Sequence, residues 1–84
     1  MKKIGIPDLK IGKVYYLING SYRKPETDKL VFELIEIIDN YGKMRILKDL
    51  SSDDGWKNPI DSITFLDSDK IYELSEKEHF AWMI

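Results

Sequence analysis

Between Lys29 and Asp49 the chain reads KLVFELIEIIDNYGKMRILKD, two apolar stretches around a polar turn. With a period of two, Leu30, Phe32, Leu34 and Ile38 share one face, with Glu36 as the exception. Val31, Ile35 and Ile37 share the other face with Glu33 and Asp39. Two largely apolar faces suit a strand that is buried on one side and partly covered on the other. Asp39-Asn40-Tyr41-Gly42 has the chemistry of a type I turn followed by a residue at positive φ. Met44, Ile46 and Leu47 resume the apolar signal, with Lys43, Arg45 and Lys48 interleaved. A helical reading of residues 28–41 competes: Leu30, Leu34, Ile37, Ile38 and Tyr41 also fit helical spacing, with Thr27 or Asp28 as N-cap and Gly42 just past the end. The β-branched and aromatic content of Val31, Phe32, Ile35, Ile37 and Ile38 favours the hairpin.

The same alternation marks further strands. Val14–Asn19 points Val14, Tyr16 and Ile18 one way and Tyr15, Leu17 and Asn19 the other. In Ile60–Asp67, Ile63 and Phe65 oppose Ser62 and Thr64, and Lys70–Leu74 adds Ile71, Tyr72 and Leu74. Met1–Gly12 reads as a lead-in, with a turn at Pro7-Asp8. Ser75-Glu76-Lys77-Glu78 has capping-box form, which predicts a short helix over residues 75–84.

Two polar loops interrupt this pattern. In Gly20–Asp28, Tyr22, Arg23 and Lys24 stand side by side, and an aromatic beside two cations can stack a base, grip a phosphate or anchor a protein interface. The plainer reading is a solvated loop whose tyrosine folds back on the core. In Leu50–Pro59, Trp56 stands among turn formers as either a lid on the core or an exposed contact. Asp53 and Asp54 lack the oxygen-ligand spacing of a calcium loop, so no metal site is expected. At the C-terminus, Phe80, Trp82 and Met83 either plug one end of the fold or face a partner.

Five short strands, a long first loop, a tight central turn and a closing helix resemble a small SH3-like barrel. Ile11-Gly12-Lys13-Val14-Tyr15-Tyr16-Leu17, then Phe32–Asp39 and Gly42–Asp49, are similar to the strand pattern of Tudor-like and KOW-like modules over residues 11–74. The resemblance implies a mainly β fold, a five-stranded antiparallel SH3-like barrel (residues 13–74) with a lead-in (1–12) and a C-terminal helix (75–84). The alternative is an α+β fold with residues 28–41 helical. The Ala-Leu-Tyr-Asp-Tyr start and paired tryptophans of signalling SH3 domains are absent, so proline-peptide recognition is not implied. In its short, Lys- and Ile-rich, cysteine-free style, the chain also resembles accessory proteins of phages and mobile elements in low-GC bacteria.

Eighty-four residues make one domain, 1–84, with a modest core. Without cysteine there is no disulfide or thiolate chemistry, and no apolar run approaches the roughly 20 residues that span a bilayer. A cytoplasmic protein without membrane contact is the expectation. His79 is the only histidine, and no Ser/His/Asp set or phosphate-cradling glycine loop is present, which argues against catalysis and a cofactor. Residues 1–48 carry ten Lys/Arg against six Asp/Glu, and residues 49–84 three against nine, for an overall −2. The pI near 5.3 is far from that of domains led by phosphate binding. A protein-binding module is therefore expected, as a regulator or inhibitor of a larger host protein; the alternative is a nucleic-acid-binding barrel. In the former, Asp49, Asp53, Asp54, Asp61, Asp67, Asp69, Glu73, Glu76 and Glu78 can imitate phosphates on a basic target.

Overall fold

A computed structural model describes residues 1–19, 28–49 and 59–82. The protein is mainly β, an antiparallel sheet of six strands with a short C-terminal helix. The strands are β1 (Lys2–Ile4), β2 (Val14–Asn19), β3 (Asp28–Ile38), β4 (Tyr41–Asp49), β5 (Ile60–Thr64) and β6 (Lys70–Glu73), and helix α1 is Glu76–Trp82. Their order across the sheet is β1-β6-β2-β3-β4-β5. All five expected strands are present, and residues 28–38 form a strand, as their β-branched composition favours, not a helix. The lead-in is corrected: it supplies the sixth strand, with Lys3 opposite Tyr72 and Ile4 opposite Ile71. Three residues, two of them lysine, carry no readable alternation, and the pairing partner lies about 70 positions away in the chain. A 3-10 turn, Ile6–Asp8, follows β1 and brings Leu9 into the core.

One face of the sheet holds the core. Tyr15 and Leu17 of β2 lie opposite Phe32 and Leu30 of β3, and Phe32 and Leu34 lie opposite Ile46 and Met44 of β4. Ile63, Phe65 and Ile71 complete this interior. The three buried rings form a chain, Tyr15–Phe32 at 5.7 Å and Phe32–Phe65 at 6.0 Å between centroids. Tilted pairs at such spacings are favourable beyond the area they bury. The opposite face is partly covered: Val31, between Tyr16 of β2 and Lys48 of β4, is fully buried there.

Two irregularities in the β3–β4 ladder, at Val31/Phe32 and Leu34/Glu36, change which side chains face the core. Leu34 opposes Met44, but the next pairs are Glu36 with Lys43, Ile37 with Gly42 and Ile38 with Tyr41. Ile35 is therefore the extra residue of a bulge, and the alternation changes phase beyond it. This resolves the exception at Glu36, which is exposed and sits on the outer face. It also turns Ile37 toward the core and Ile38 away from it, the reverse of an uninterrupted alternation.

The hairpin turn also differs from the expected one. The loop is only Asp39-Asn40, with Asp39 at φ 54°, a left-handed conformation that Asp tolerates better than most residues. Gly42 lies within β4 and has no positive φ. Its requirement is spatial: an added Cβ would stand 2.5 Å from Cε2 of Phe65.

The buried phenol of Tyr15 is tied to the lead-in. Its oxygen accepts the Lys10 N–H at 2.8 Å and donates to the Lys10 carbonyl at 3.5 Å. Burial raises its pKa above the ordinary 10.0, opposed by the Lys10 bond and assisted by Glu73 and Asp8. A raised folded-state value keeps the neutral phenol, so this contribution to stability is complete below pH 10.0 and is lost as pH rises from there through the folded-state pKa. Tyr15→Phe is expected to lower stability at neutral pH by about 1 kcal/mol through the lost hydrogen bond. The same variant should lose less stability on going above pH 10 than the native chain does. Urea unfolding followed by circular dichroism at both pH values checks both effects; equal alkaline losses would refute the assignment.

The capping box at α1 is present: the Glu78 N–H donates to Ser75 Oγ, and the Ser75 N–H to Glu78 Oε1, both at 3.2 Å. Glu78 Oε2 also meets the Met1 ammonium at 2.6 Å, and that hydrogen bond is the first cause of a pKa below the ordinary glutamate value.

Candidate functional site

Because β5 flanks the hairpin end of β4, the two strands and the tip of β3 build one end of the outer face. The register sets Tyr41 opposite both Ile38 and Thr64, Lys43 opposite Glu36 and Ser62, and Arg45 opposite Glu33 and Ile60. Residues opposite one another share a face. Glu36, Ile38, Tyr41, Lys43 and Ser62 line a hollow of about 120 Å³ there. Ile38 is 63% exposed and Tyr41 55%, with Ile60 also exposed on the neighbouring strand. Arg45 Nε stands 3.6 Å from Glu33 Oε1, a solvent-exposed pair of small energetic weight. The arrangement is an apolar centre with charged flanks.

A larger groove, about 590 Å³, runs between β1 with its 3-10 turn and the β5–β6 connection. Two of the carboxylates that line it serve the backbone: Asp8 Oδ2 accepts the Gly5 N–H at 3.4 Å, and Asp69 Oδ2 accepts the Leu66 N–H at 2.9 Å. Asp61, Asp69 and Glu78, three members of the acidic second half, thus all have bonds within the fold. Among the described residues no group of three or more His, Cys, Asp or Glu side chains could hold a metal ion. No described helix is long and apolar enough to cross a membrane.

Of the side chains singled out from sequence, Tyr22, Arg23, Lys24, Asp53, Asp54 and Trp56 lie outside the described residues. Trp82 is the last residue of α1. Phe80 is 70% exposed, so its ring is not part of the core. Glu78 of its helix pairs with Met1, beside β1, whereas β5 closes the other end of the strand order. The Ile38–Tyr41 pair was missed by alternation because the bulge at Ile35 reverses the phase. One signal for it was available: Glu36 breaks the run Leu30, Phe32, Leu34, Ile38, which marks a slip in register between Leu34 and Ile38.

No protein-family model matches this chain, and no match was found among curated proteins or solved structures.

Proposed function

We propose that the protein is a small, non-enzymatic protein-binding module, a regulator or inhibitor that docks on a larger protein through the hairpin end of its outer face. The exposure of Ile38 and Tyr41, opposite one another beside the hollow, is the observation that supports this reading. Large aliphatic and aromatic side chains held in water gain most when a partner covers them, and aromatic anchors dominate protein interfaces. Lys43 and Arg45 on one flank and Glu36 and Glu33 on the other supply the polar rim that sets orientation.

A tagged pull-down from host lysate, with and without nuclease, tests the proposal alongside Ile38→Asp/Tyr41→Ser. The native chain is expected to retain the same protein in both conditions. The double variant should bind it roughly 30-fold more weakly or worse, the loss that anchor residues of 2 kcal/mol or more imply. Capture that is indifferent to the double variant would overturn the site, and capture that collapses with nuclease would overturn the class of partner.

A second reading, nucleic-acid binding, is favoured by another row of the same face. Lys3, Tyr72, Tyr16, Val31 and Lys48 follow one another across five strands, and the Tyr16 and Tyr72 rings lie 6.1 Å apart. Aromatic rings between lysines can stack bases beside phosphates. Retention on heparin at physiological salt would favour this reading over the first.

A further inference from the structure

β5 ends the sheet: among the described residues it pairs with β4 alone. Two backbone bonds determine how it presents its free side. Phe65 N–H donates to the Asn40 carbonyl at 2.7 Å, and Ile46 N–H donates to the Pro59 carbonyl at 2.8 Å. In an antiparallel ladder bonded and non-bonded positions alternate, so Pro59, Asp61, Ile63 and Phe65 turn their backbone groups toward β4. Ile60, Ser62 and Thr64 turn theirs outward, which is the arrangement that invites another strand. One of those outward groups is already taken. The Ser62 N–H donates to Oδ1 of Asp61, the preceding residue, at 2.8 Å. The opposite end of the sheet is blunted by other means, since β1 has three residues and two are lysine.

We propose that Asp61 is an edge guard: its carboxylate occupies the Ser62 N–H and so prevents β5 from pairing with β5 of a second copy of this chain. The self-pairing it prevents is geometrically complete. Antiparallel addition about a two-fold axis through Ser62 sets Ser62 against Ser62 of the second copy and Ile60 against Thr64 of the second copy. These are outward-turned residues and therefore the hydrogen-bonded positions of the new ladder. Ile and Thr are β-branched and suit such a pair. The same register sets Asp61 against Ile63 of the second copy on the inner face. Pairing then removes the carboxylate from water beside an apolar side chain and takes away the donor it now holds, which disfavours association.

Sedimentation equilibrium from micromolar to millimolar protein tests this on the full chain. The native chain is expected to remain monomeric. Asp61→Thr, which removes the charge and adds a β-branched residue, should associate to dimers at least roughly tenfold more tightly, a difference of about 1.4 kcal/mol. Adding Ser62→Pro should return that variant to monomer, because proline deletes the N–H at the centre of the pairing and is tolerated where that group faces away from the sheet. Circular dichroism establishes that each variant is folded; if Asp61→Thr is not, Asp61→Ala carries the same comparison. A folded variant that stays monomeric over the whole range would overturn the proposal. So would a native dimer of unchanged affinity, or a variant dimer that survives Ser62→Pro.

Discussion

Phe32→Ala is expected to lose about 3–5 kcal/mol of folding stability, the range for deleting a buried aromatic ring from a packed core. Phe32 is fully buried at the middle of β3, opposite Tyr15 on one neighbouring strand and Ile46 on the other. Its ring is the central one of three, so its removal separates Tyr15 from Phe65 as well as opening a cavity. At 0.05–0.15 kcal/mol per residue, a chain of 84 residues has about 4–13 kcal/mol in total. The variant should therefore lose at least about a quarter of the total, and all of it if the native chain lies at the low end of that range. Urea titration by circular dichroism, with Ile38→Ala as an exposed control expected to change stability by about 0.5 kcal/mol or less, measures the difference. Equal losses in the two variants would contradict the placement of the core.

Gly42→Ala provides a sharper test because two effects oppose each other in sign. Backbone entropy alone makes alanine better than glycine within a strand by about 0.5–1 kcal/mol. The site reverses that expectation: the new Cβ would lie 2.5 Å from Cε2 and 3.3 Å from Cζ of Phe65, and 3.4 Å from Cδ1 of Leu34. Phe65 and Leu34 are both fully buried, so neither can swing into solvent to make room. The net result expected is a loss of about 1–3 kcal/mol, typical of overpacking a tight core. Phe65→Leu in the same chain should recover part of that loss, giving a favourable coupling between the two sites in a double-mutant cycle. A stabilised Gly42→Ala protein, or additive effects of the two changes, would show that the ring does not rest on Gly42.

The hairpin Lys29–Asp49, the strands at Val14, Ile60 and Lys70, and the capped helix at Ser75 are written locally. Alternation, β-branching and a capping box act between residues at most a few positions apart, and one polypeptide stretch contains the whole signal. A mainly β architecture follows from those elements alone.

The remaining features depend on partners distant in the chain. β1 becomes a strand only because β6 offers it an edge, and Tyr15 is held by Lys10 only after the lead-in folds across β2. Gly42 looks like a turn residue in the sequence, and its real constraint, the Phe65 ring, arrives from 23 positions further along. The candidate site has the same origin. One extra residue at Ile35 exchanges the faces of Ile37 and Ile38, so a side chain that simple alternation assigns to the core stands in water beside Tyr41. A bulge is a compromise between two strands in contact. Its position is chosen by how both pack on the shared core, which a reading of either strand in isolation does not contain.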